Sequence, residues 1–119
     1  MKRLPFVDDD APIACSLAPG DVPGRIALLE RLRDAATVVA RTPHGLRLRF
    51  PADADVEADV RRFAVDEQRC CTFWAFSVDV DPMGVMLRWD GPPAAADLLD
   101  HLHRFLLGEE PIGSLGGLL

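Results

Sequence analysis

Two cysteines stand side by side in the run Asp66-Glu67-Gln68-Arg69-Cys70-Cys71-Thr72-Phe73-Trp74. A helix turns about 100° per residue, so one apolar stripe uses one of two adjacent positions and not both. Two close sulfurs suit a soft metal, a metalloid or a thiol redox reaction. The chain has three cysteines in all, the third being Cys15. Glu67 falls on the apolar stripe of the same helix, one turn before Cys71. A carboxyl group there needs a partner or a raised pKa. It is a candidate oxygen ligand or proton acceptor for a thiol. The alternative is an arginine partner, with Arg69 and Arg88 as candidates. Cys15, Cys70, Cys71 and Glu67 are thus the candidate metal site, and no catalytic residue is assigned.

The other chemistry-bearing residues say less. His101 and His103 are two apart on a helix and lack the i, i+4 spacing of a helical metal pair. His44 sits in a turn. No Cys-x-x-Cys, phosphate-binding glycine loop or nucleophile elbow is present.

The elements that must position these residues follow from periodicity. Ile13-Ala14-Cys15 reads as a short strand ended by Pro19-Gly20. Asp21 caps a helix running to about Ala36, with Ile26, Leu29, Leu32 and Ala36 on one stripe. Thr37–Arg41 and Leu46–Phe50 form a hairpin around Pro43-His44-Gly45. Asp53 or Asp55 caps a second helix, striped by Val56, Val60, Phe63, Ala64, position 67 and Cys71. Phe73–Val80 and Val85–Trp89 are strands joined by Asp81-Pro82-Met83-Gly84. Gly91-Pro92-Pro93 opens a third helix striped by Ala95, Leu98, Leu99, Leu102, Phe105 and Leu106, which Gly108 ends. Trp74 and Phe76 are expected in the core, while Phe73 falls on the other face.

The order is β-α-β-β-α-β-β-α, predicting an α+β fold with a single antiparallel sheet and helices on one face. The first six elements match a ferredoxin-like core, spatial order 4-1-3-2. That order makes the first and fourth strands neighbours and brings Cys15, Cys70 and Cys71 to one end of the sheet, with His44 at the same end. One domain over 1–119 is expected, with 1–11 and 109–119 loosely ordered.

Charge and composition bound the partners. The formal net charge is −6 and no Lys/Arg block occurs, which argues against nucleic acid. No apolar run reaches membrane-spanning length, and Pro5 and Asp8-Asp9-Asp10 interrupt any leader, so a cytoplasmic location and no membrane partner are expected. An odd cysteine count without framework spacing predicts reduced thiols. A helix C-terminus disfavours thiolates at Cys70 and Cys71, so a strongly activated thioredoxin-type nucleophile is not expected. A soft cation instead displaces the thiol protons on binding.

Ile13-Ala14-Cys15-Ser16-Leu17, Leu46-Arg47-Leu48-Arg49-Phe50-Pro51 and Glu67-x-x-Cys70-Cys71-x-Phe73-x-x-Phe76 together resemble a family of small bacterial proteins with an E-x-x-C-C-x-F motif. These occur alone or fused to MerR-type regulators of the mercury-resistance kind. The resemblance runs from about Ile13 to Leu107, and Cys15, Glu67, Cys70 and Cys71 carry its polar part. It implies a heavy-metal or thiol-reactive ligand and a regulator protein as partner. This chain has no helix-turn-helix of its own. The resulting expectation is a small thiol protein binding a soft metal or metalloid ion (mercury, arsenic, copper or zinc class) as sensor, buffer or carrier. The alternatives are a thiol-dependent redox or organometal-cleaving enzyme, and a self-associating module with structural cysteines.

Overall fold

The computed structural model describes residues 22–111. The predicted strand at Ile13–Cys15, and with it Cys15, lies outside them, as do 1–11 and most of 109–119. Within the described residues the chain builds α1 (Val22–Ala35), β1 (Val38–Arg41), β2 (Gly45–Phe50), α2 (Ala54–Cys70), β3 (Ala75–Asp81), β4 (Gly84–Asp90) and α3 (Ala96–Leu106). A single 3-10 turn, Pro93–Ala95, leads into α3. The α+β class and the antiparallel sheet are therefore as the periodicity predicts.

The four described strands run in the order β1-β2-β4-β3, every neighbouring pair antiparallel. This differs from the ferredoxin-like arrangement. That arrangement puts the strand at 13–15 between the strands at 46–50 and 73–80, and β4 stands there instead. The reason lies in β4 itself. It is joined to β3 by a tight turn, so the two pair directly as a hairpin. Gly84 takes φ +140°, and a Cβ on it would lie 2.0 Å from the Phe50 carbonyl oxygen. Only glycine therefore lets the start of β4 approach the end of β2. The strand then pairs along its whole length with β2, from Val85 opposite Phe50 to Asp90 opposite Gly45.

Alternation decides the faces of the sheet. Leu46, Leu48 and Phe50 of β2 and Val85, Leu87 and Trp89 of β4 are all buried. Arg47, Arg49, Met86 and Arg88 on the opposite face are half-buried. The helices pack on the apolar face. α3 presents Leu98, Leu99, Leu102, Phe105 and Leu106, and α2 presents Val60, Phe63 and Ala64. Trp89 is the centre of this layer, with Phe63, Phe76 and Trp74 rings at 5.2, 5.3 and 5.3 Å.

α2 is the element that positions the candidate site. Asp53 caps it, its Oδ1 accepting from Asp55 N at 2.8 Å and Val56 N at 3.1 Å. Two of the otherwise unsatisfied first-turn donors are thereby used. The helix leaves the sheet at the Phe50 end and runs its full length. It returns the chain where Ala75 pairs with Asp90, and Asp90 with Gly45. Cys70 and Cys71 thus end up at the same end of the sheet as the His44 turn, whose carbonyl accepts from Gly91 N at 2.9 Å. α1 lies antiparallel against α2: Arg25 meets Glu67, and Arg31 meets Asp59 two turns further on. The start of α1 is therefore beside the end of α2.

Candidate thiol site at the end of α2

The stripe of α2 continues inward through its last turn. Val60, Phe63, Ala64, Glu67 and Cys71 are buried, whereas Cys70 is only partly so. Cys71 N donates to Glu67 O at 2.7 Å and closes the helix. Trp74 N then donates to Cys71 O at 3.1 Å, turning the chain into β3. The Phe73 and Trp74 rings meet at 4.5 Å, tilted by 49°, and are both buried, so Phe73 belongs to the core despite its position off the strand alternation. It sits in the turn before β3, where period-two alternation does not apply. Gly91 lets the Trp74 ring approach the chain closely, for a Cβ there would meet Trp74 Cζ3 at 2.6 Å.

Glu67 is 1% exposed. Its Oε1 accepts from Arg25 Nη1 at 2.5 Å. Its Oε2 is buried with no hydrogen-bond partner among the described residues. The expected partners were Arg69 and Arg88. Arg69 is exposed, and Arg88 pairs with Asp90 at 3.1 Å. The partner is Arg25, on another helix and itself 8% exposed. Burial raises the pKa of Glu67 above its ordinary value, and Arg25 opposes that rise. Burial works against the charge on Arg25. The hydrogen bond and charge of Glu67, then those of Cys70, outweigh it, so the pKa of Arg25 is raised.

The same guanidinium reaches a sulfur. Arg25 Nη2 donates to Cys70 Sγ at 3.8 Å. One cation thus stands between a carboxyl group and a thiol, both from the last turn of α2. Sequence spacing alone could not show this, because Arg25 lies 45 residues before Cys70. The one available signal was an arginine at the i−3 and i−4 positions to Leu28 and Leu29, on the buried side of α1.

Cys71 is disulfide-bonded. This corrects the expectation that all thiols are reduced. Adjacent Cα atoms lie about 3.8 Å apart, below the roughly 4.4–6.8 Å that an unstrained disulfide spans, so bonding between neighbours in sequence is disfavoured. Cys70 indeed takes no part in a disulfide. In this state the two adjacent sulfurs have different chemistry: one is oxidised and buried, the other a partly exposed thiol beside a guanidinium.

Only part of the expected metal set falls within the described residues. Glu67 is engaged with Arg25, Cys71 is in a disulfide, and Cys15 lies outside the described residues. Among the described residues no group of three or more His, Cys, Asp and Glu side chains stands where it could hold a metal ion. His101 lies midway along α3, with Nδ1 3.3 Å from Glu110 and 3.0 Å from Arg104. No described helix is long and apolar enough to cross a membrane. Comparison with protein-family models, with curated proteins and with solved structures finds no match.

Proposed function

We propose that this chain is a thiol–disulfide protein whose working groups are the Cys71 disulfide and the Cys70 thiol, with Arg25 and Glu67 as the charges beside them. The observation that carries the reading is the oxidised Cys71 next to a Cys70 sulfur held by a buried guanidinium. The guanidinium of Arg25 stands within hydrogen-bond reach of the Cys70 sulfur, where an exchanging disulfide partner would meet it.

The net reaction is balanced by a thiol substrate. One thiolate attacks a sulfur of the Cys71 disulfide, forming a mixed disulfide and releasing the other protein sulfur. A second substrate thiol attacks that mixed disulfide. Two protein thiols and one substrate disulfide result, and the reverse reaction reoxidises the protein. Cys71 is 1% exposed, so attack on its own sulfur requires local opening. Cys70 is the sulfur of the pair that solvent reaches. The reading is tested by counting thiols in the native protein before and after a small dithiol reductant. Two additional thiols are expected, with the fold retained. A protein already fully reduced as isolated under air would end this reading.

A second reading starts from the reduced form. Reduction gives adjacent thiols just ahead of the buried Phe73 and Trp74, and apolar surroundings strengthen a metal–thiolate site by excluding water. The resemblance to proteins fused with mercury-resistance-type regulators supports the same ligand class. Here the reduced chain binds a soft metal or metalloid ion through Cys15, Cys70 and Cys71. Glu67 joins only by giving up Arg25. Titration of the reduced protein with cadmium, followed by thiolate charge-transfer absorbance, tests it, and Cys70→Ser should abolish most of the signal.

A further inference from the structure

We propose that Arg25 and Glu67 set the reactivity of Cys70 with opposite signs, Arg25 as its positioning cation and Glu67 as a brake that holds part of that cation's charge. The inference rests on reading Cys70 as an exchanging thiol, and it adds two residues that this reading does not require.

The geometry supplies the argument. Arg25 spends Nη1 on Glu67 and Nη2 on Cys70. With side chains 8% and 2% exposed, the Arg25–Glu67 pair is shielded from solvent, so its charges act on the sulfur with little screening. A thiolate in exchange carries negative charge that spreads over three sulfurs in the transition state. The guanidinium favours that charge. The Glu67 carboxylate, bound to the same guanidinium, cancels part of its field. Replacing Glu67 by its amide keeps an oxygen that accepts from Arg25 and removes the negative charge. The cation should then act on Cys70 alone. Loss of packing cannot mimic the pattern, because it would move both variants in one direction.

The test uses the full chain as isolated, without reductant, and a neutral disulfide probe, 2,2′-dithiodipyridine, at pH 7. Fragment-ion mapping reads labelling at Cys70 alone, so failure of the Cys71 disulfide to exchange leaves the measurement interpretable. Arg25→Leu should slow labelling of Cys70 by about tenfold, and Arg25→Lys should restore most of it. Glu67→Gln should speed it by about threefold or more. Circular dichroism confirms the fold of each variant, and where Arg25→Leu fails to fold, the Glu67→Gln arm decides. A Glu67→Gln rate equal to or below that of the parent overturns the proposal, as does an Arg25→Lys rate no faster than that of a folded Arg25→Leu.

Discussion

Arg25 Nη1 lies 2.5 Å from Glu67 Oε1, joining the first turns of α1 to the last turn of α2 across 42 residues of sequence. Both side chains are buried, so removing one strands the other. Arg25→Ala leaves a carboxyl group in the core, and the expected loss is about 3 kcal/mol at neutral pH. Below pH 4.5, the ordinary value for Glu67, the stranded group is neutral and the loss should shrink. Urea denaturation at the two pH values measures the difference, and an equal loss at both would show that Glu67 does not feel Arg25.

Stability should also depend on pH through Glu67 itself. Burial holds its folded-state pKa above the ordinary value of 4.5. The folded state therefore binds more protons than the unfolded chain just above pH 4.5. Its stability falls as pH rises through that window, until the folded group has ionised. Asp100 and Glu110 act with the opposite sign. Hydrogen bonds from Arg41 to Asp100, and from Arg104 and then His101 to Glu110, hold their pKa values below the ordinary ones. Their contribution is lost as pH falls through the folded values. Glu67→Gln should flatten the profile above pH 4.5 and leave the acid limb unchanged.

The cap of α2 offers a test away from the thiols. Asp53→Ala removes the acceptor of Asp55 N and Val56 N and should cost about 1 kcal/mol in thermal or chemical unfolding. Its effect on Cys70 labelling should be negligible, since it acts at the other end of a 17-residue helix.

Phe63 carries α2 onto the sheet through edge contacts with Phe76 at 5.8 Å and Trp89 at 5.2 Å. Phe63→Ala opens a cavity in the aromatic layer and should cost roughly 3–5 kcal/mol. The tryptophan emission of Trp74 and Trp89 should shift to the red as water enters the layer. Unshifted emission with full stability would mean that α2 is held by other contacts.

Periodicity made the second helix, the third helix and the two hairpins legible, because each buries a stripe or alternates on one face. The inward placement of Cys71 and Glu67 followed from the same stripe. The sheet order did not follow. The ferredoxin analogy used only the first six elements, and the competing partner of β2 is β4, the seventh. Arg25 is not legible in the sequence because the apolar stripe of α1 reads as Ile26, Leu29, Leu32 and Ala36. The buried residues there are Arg25, Leu28, Leu29 and Leu32. A buried arginine looks polar in sequence until its carboxylate is found, and that carboxylate sits on another helix. Nor could spacing reveal that Cys71 is disulfide-bonded.

The difference between the two neighbouring sulfurs is the claim most directly open to measurement. The protein, isolated without reductant, is alkylated with iodoacetamide under denaturing conditions, digested, and sequenced by fragment ions that separate Cys70 from Cys71. Carbamidomethyl on Cys70 and a disulfide link on Cys71 are the predicted result. Alkylation of both residues, or a disulfide at Cys70 with Cys71 alkylated, would contradict the account.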